Sequence, residues 1–176
     1  MNRRSFALSA LAVPLPFGAA QAQTRSGRDH ELQHVAASLS YGAASIEAGR
    51  LALDNTRRND IRRFAGDEIA EQQMVARVLR TIVLAAYGVG PQQEPKIQDS
   101  TALEALRTAD PARFDAGFVA FQLNIHRELM QAQENYLSRG QEPLGRAVAM
   151  MAQAHIADHL GRLTQLQQAI ADGTGR

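Results

Sequence analysis

Leucine and isoleucine return every seventh residue through Leu32, Leu39, Ile46 and Leu53, with Val35, Gly42 and Gly49 as a companion row. A stripe of this period belongs to a long helix that buries one face against other helices, and its glycines let a neighbour approach closely. The spacing predicts this helix over about Asp29 to Thr56. A second runs from Asn59 or Asp60 to about Tyr87, with Ile61, Phe64, Glu68, Gln72, Val75, Leu79 and Ile82 on one face, stopped by Gly88 and Gly90-Pro91. A third starts near Pro111, a residue suited to the first helical turn, and carries Phe114, Phe118, Phe121, Ile125, Leu129 and Tyr136 before Gly140. The fourth starts at Glu142-Pro143, carries Leu144, Val148, Met151, His155, His159, Leu163, Leu166 and Ile170, and frays after Asp172-Gly173. Strand-like alternation is absent, so the class is all-α.

Helices of about 26 to 30 residues are roughly 40 Å long at ~1.5 Å per residue. The first and last pairs are each joined by a few residues and should form antiparallel hairpins. Gly88 to Asp110 is long enough to cross the whole bundle, part of it as a short helix capped by Ser100. The expected fold is a ferritin-like four-helix bundle, two antiparallel hairpins joined by a longer connection.

Residues 1–22 read as an export signal: Arg3 and Arg4, an apolar run from Phe6 to Ala19, then the small-x-small site Ala20-Gln21-Ala22. Arg3-Arg4-Ser5-Phe6 fits a twin-arginine signal, and the general secretory route fits as well. The expected domain is 23–176, in the periplasm. No later run reaches the ~18 to 20 apolar residues a membrane span needs. The remaining chain holds 17 basic and 18 acidic residues, a formal charge of −1, which gives no support to a nucleic-acid partner. A protein or envelope partner is compatible. Cysteine is absent, so disulfides and thiol catalysis are excluded.

Glu68, His155 and His159 interrupt apolar stripes. A buried unpaired charge costs several kcal/mol, so such groups must pair, bind something or reach water. A carboxylate-bridged di-metal centre wants a glutamate from each of two helices and a Glu-x-x-His from each of the others. Glu47, Glu68, Glu71, His126, Glu128, His155, Asp158 and His159 offer the chemistry, but no such pair exists among these eight. A single ion is easier to hold: His155 and His159 share a helix face, with Glu68 or His126 to complete a set for iron, zinc or copper. The competing reading is a hydrogen-bonded polar network that fixes helix register.

His30-Glu31-Leu32-Gln33-His34 matches the H-E-x-x-H pattern of zinc peptidases. With Leu32, Val35 and Leu39 inward, however, both histidines project outward, and a solvated first turn is expected. Arg57-Arg58 and Arg62-Arg63 read as a solvated basic turn.

Ser45-Ile46-Glu47-Ala48-Gly49-Arg50-Leu51-Ala52, Arg63-Phe64-Ala65, Phe114-Asp115, His126 and His159-Leu160 together resemble the bacterial exported family called domain of unknown function 4142. The resemblance covers nearly all of the chain after the signal and implies a ferritin-like periplasmic fold without an established reaction. Members often carry the label outer membrane protein, which a helical bundle with no spanning segment does not support. The family's second helix usually has an acidic residue followed by histidine, where this chain has Glu71-Gln72, and that weakens any metal site drawing on it. The functional expectation is a non-catalytic binding or structural module, with a metal-binding or redox protein as the alternative.

Overall fold

Proline, glycine and acidic caps divide the chain into rods. The computed structural model describes residues 17–88 and 95–174. Their helices are α1 (Phe17–Asn55), α2 (Asn59–Tyr87), α3 (Ser100–Arg107), α4 (Pro111–Arg139) and α5 (Pro143–Ala171). Pro111 opens α4, where its missing N–H is no loss, and Asp110 accepts from Ala112 N at 2.8 Å. Pro143 and Glu142 open α5 in the same way. Gly88 ends α2 in the left-handed region (φ 65°), its N–H reaching Leu84 O at 2.9 Å. Among the described residues no helix is long and apolar enough to cross a membrane.

Side-chain pairings give the directions of the four long helices. Ser45 meets Glu68 and Gly42 faces Gln72, so α1 and α2 are antiparallel. His34 meets Gln133 and Ser45 meets Gln122, so α1 and α4 are antiparallel. His126 meets His159 while Tyr136 lies against Gly145, and Asp67 meets Arg162 while Glu71 meets His155, giving the same relation for α4 with α5 and α2 with α5. α2 therefore ends beside the start of α1, where Arg28 lies over the Tyr87 ring, whereas α4 starts at the opposite end. In the described part of the connection, 95–110, α3 packs Leu103 and Leu106 against α1 and α4.

The buried apolar side chains form a large cluster including Phe64, Phe118, Ile125 and Leu163 and a smaller one of Val35, Leu39, Leu79 and Val83.

Four expectations need correction. In α5, Leu144, Met151 and His155 are exposed while Gly145, Ala149 and Ile156 are buried. The true stripe steps through 145, 149, 152, 156, 159, 163 and 166, one residue out of phase with the apolar reading of the first half. The small residues Gly145 and Ala149 face inward because α4 comes close there.

The stripe of α1 is also rotated. Val35, Leu39, Gly42 and Gly49 are buried as expected, but Leu32, Ile46 and Leu53 are half-buried flanks, while the row Glu31, Ser38, Ser45 and Ala52 is buried. α1 is held between α2 and α4, so its covered face is wide and its centre lies between the two partners. Glu31 and His34 are consequently buried, the reverse of a solvated first turn. Arg58 is buried too: it forks onto Asp60 at 2.7 and 3.1 Å and donates to Thr174 O at 2.6 Å, pinning the C-terminal end to the first hairpin turn. The export-signal reading of 1–22 falls mostly on residues outside those described.

Candidate metal centre

Each long helix sends a polar side chain to one level of the bundle: Ser45 from α1, Glu68 from α2, Gln122 and His126 from α4, His159 from α5. Glu68, Gln122, His126 and Ser45 are fully buried and His159 nearly so. The helical repeat brings them there, since Phe64 and Glu68, Gln122 and His126, and Ile156 and His159 are one-turn neighbours on inward faces.

The hydrogen bonds define the ring states. His126 Nδ1 lies 2.8 Å from the Gln122 carbonyl oxygen, which only accepts, so Nδ1 carries the proton and Nε2 presents a lone pair. That Nε2 faces His159 Nδ1 at 3.1 Å and Glu68 Oε2 at 3.4 Å. His159 Nδ1 is 2.8 Å from Glu68 Oε2, yet its hydrogen is aligned with His126 instead, and Oε2 stays without a hydrogen bond. The other carboxylate oxygen receives the Ser45 hydroxyl at 2.6 Å. Burial alone would raise the Glu68 pKa, but the adjoining His126 and His159 rings and the Ser45 hydroxyl outweigh it and hold the carboxyl well below the usual carboxylate range. Burial would lower His159, but its contact with Glu68 and the charges of Glu68 and Glu71 outweigh this and raise it.

A buried carboxylate oxygen with no aligned donor, facing one imidazole lone pair and a second ring, is what a cation needs. The ligand atoms of Glu68, His126 and His159 all lie within 4.8 Å of one another. The Nδ1–H to carbonyl bond of His126 is also the outer support that orients a metal-binding histidine.

An outer layer leads to solvent. Glu71 bridges His159 Nε2 at 3.2 Å and His155 Nδ1 at 2.8 Å. Side-chain exposure falls from 61% at His155 through 27% at Glu71 to 6% at His159 and none at Glu68. A cavity of about 30 Å³, bordered by Glu71, Gln72, His126, His155 and His159, adjoins the cluster and is large enough for a water molecule. On the far side Phe64 packs edge-on against His159 at 5.3 Å and carries the Arg162 guanidinium 5.2 Å over its ring.

Of the four residues singled out as ligands, Glu68, His126 and His159 converge; His155 stands at the rim, joined to them through Glu71. Gln72, where the family resemblance leads one to expect histidine, is buried opposite Gly42. Ser45 and Gln122 escaped the sequence reading, although Ser38 and Ser45 continue a seven-residue row from Glu31 that marks a polar seam. The Glu-x-x-His spacing of Glu31 and His34 likewise escaped the sequence reading of a chain without such a pair.

The sequence profile of the family described as a domain of unknown function, DUF4142, matches residues 16–166. No curated protein matches the chain. Among solved structures, CopM in the Cu(I)-bound form is similar with a TM-score of 0.69 at 15% identity, covering 78% of this chain and 95% of that one. CopM in the Cu(II)-bound form gives 0.69 at 13% over the same shares. A DUF305 fragment from Deinococcus radiodurans gives 0.69 at 16%, covering 79% and 95%. At these identities the likeness is one of fold. With the profile spanning both hairpins and every residue of the polar cluster, the chain belongs to the DUF4142 family.

Proposed function

We propose that this protein is an exported, periplasmic ferritin-like four-helix bundle that binds one transition-metal ion through Glu68, His126 and His159. The observation that carries the reading is Glu68 Oε2, fully buried between two imidazoles and without an aligned hydrogen bond from either. Two imidazoles and a carboxylate suit divalent copper, zinc or iron. Copper is the first ion to try, because CopM, similar in fold, has been solved in both Cu(I)-bound and Cu(II)-bound forms. The up-down-crossover-down-up order of the long helices supports the ferritin-like comparison. Binding rather than turnover is the role the site supports.

Glu71 and His155 form the entrance of this site. An ion arriving from solution meets His155 and Glu71 first, and the Glu71 carboxylate already touches the ring of the inner ligand His159. The test is metal analysis of full-length protein isolated from cells without added metal, beside a His126→Ala/His159→Ala variant. One transition-metal ion per chain, lost in the variant, is the expected result. A metal-free wild type that also takes up no copper, zinc or iron after dialysis defeats the proposal and leaves the cluster as a register-setting polar network.

A further inference from the structure

A second buried polar group lies toward the opposite end of α1, away from the centre described above. Glu31 is fully buried and His34 is 4% exposed. Tyr136 of α4 donates its hydroxyl to Glu31 Oε2 and stacks its ring on His34, centroids 4.1 Å apart at 11°. The state of His34 follows from its neighbour. Gln133 uses its amide N–H₂ on Ser38 Oγ and Leu129 O, both at 3.2 Å, so its oxygen accepts from His34 Nε2 at 2.6 Å. His34 Nδ1 is then a bare lone pair.

Two acceptors are left over at this place: Glu31 Oε1 and His34 Nδ1, both buried and without a partner. Leaving a buried polar atom unpaired is costly, and two on one helix face a single turn apart call for a shared guest. That guest must supply positive charge or hydrogens, because both vacant positions are lone pairs. The surroundings are acidic, Glu142 adding to the burial that raises the Glu31 pKa. The start of α5 is fitted around the carboxylate: a Cβ at Gly145 would lie 2.6 and 2.8 Å from its two oxygens. A surface groove of about 260 Å³ bordered by His30, His34, Glu128 and Tyr136 reaches the ring pair from solvent.

We propose that Glu31, His34 and Tyr136 form a second metal site, which takes one divalent transition-metal ion through a carboxylate oxygen, an imidazole nitrogen and the phenol oxygen. Glu31 and His34 are the Glu-x-x-His pair of the chain, and the site stands independently of the Glu68 centre. The mixed oxygen and nitrogen donor set suits zinc(II), iron(II) or copper(II).

Equilibrium dialysis of chelator-stripped, full-length protein against zinc(II) tests this. Two ions per chain are expected for the wild type, and one each for Glu31→Gln/His34→Gln and for Glu68→Gln/His159→Gln. Tyr136→Phe, which keeps the ring stack, should weaken one of the two ions at least tenfold. Equal zinc content in the wild type and a folded Glu31→Gln/His34→Gln variant overturns the proposal, and buried water is then the guest. If that variant does not fold, unchanged zinc affinity in Tyr136→Phe overturns it instead. A wild type that binds one ion, lost with Glu31 and His34 but kept without Glu68 and His159, upholds this site while removing the central one.

Discussion

Glu68 Oε2 and His159 Nδ1 stand 2.8 Å apart near the bundle axis, yet the ring hydrogen is aligned with His126 and the oxygen is left unpaired. The pair is close enough to hold charge and too poorly aligned to satisfy it. Without an ion, attraction across a low-dielectric interior holds these groups together; in the proposed centre both would serve as ligands.

Removing the carboxylate should therefore be costly even without metal. Glu68→Ala takes away the counter-charge of His159 and the acceptor of the Ser45 hydroxyl. Breaking a buried pair from one side costs about 3–5 kcal/mol. Urea unfolding followed by circular dichroism should show a loss of that order; a loss below about 1 kcal/mol would place the charge of Glu68 in contact with water.

The pH dependence of the metal-free protein follows from His159. Its pKa is raised in the folded state, because contact with Glu68 and the charge of Glu71 outweigh burial, so its stabilisation is complete below the unfolded value near 6.5 and fades as pH rises through the folded value. Glu31, raised chiefly by burial, acts in the same direction from about 4.5 upward. Melting temperature in the presence of chelator should fall as pH rises above about 6.5, and His159→Gln should flatten that fall. An equal slope in wild type and His159→Gln would contradict the assignment.

Gly145 reports on the placement of Glu31. Gly145→Ala puts a methyl 2.6 Å from Glu31 Oε1, an overlap that should cost about 1–3 kcal/mol. Adding Glu31→Ala should recover part of the loss. Strict additivity in the double-mutant cycle would mean the two residues do not touch.

Glu71 and His155 should govern how fast metal arrives more than how much is held. Glu71→Gln and His155→Ala are expected to slow copper(II) loading in stopped-flow measurements several-fold, at an unchanged final stoichiometry. Loading at the wild-type rate in both variants would mean the ion enters by another route.

The rods were legible from local chemistry. Helical periodicity, the Asn59 start, Pro111, Pro143 and Gly88 mark the limits of α2, α4 and α5 within a residue or so, because capping and proline geometry are decided by neighbours in sequence. Glu68 and His159 were legible as intruders in apolar stripes, and both lie in the core. The apolar row Leu144, Val148 and Met151 leads to His155 and predicts an inward ring there. The buried row instead uses Gly145, Ala149 and Ile156.

Sequence alone thus determined the class, the limits of α2, α4 and α5 and the polar character of the interior, all consequences of interactions within a few turns, whereas α1 begins at Phe17, twelve residues before the expected Asp29. Tertiary structure decided which face of each rod is covered. Small residues such as Gly145, Ala52 and Ser45 are buried not for their hydrophobicity but because they permit close approach of a second helix, and closeness is a property of two chain segments rather than one. The same contact turns Glu31 and His34 inward and brings His126 beside His159, 33 residues away.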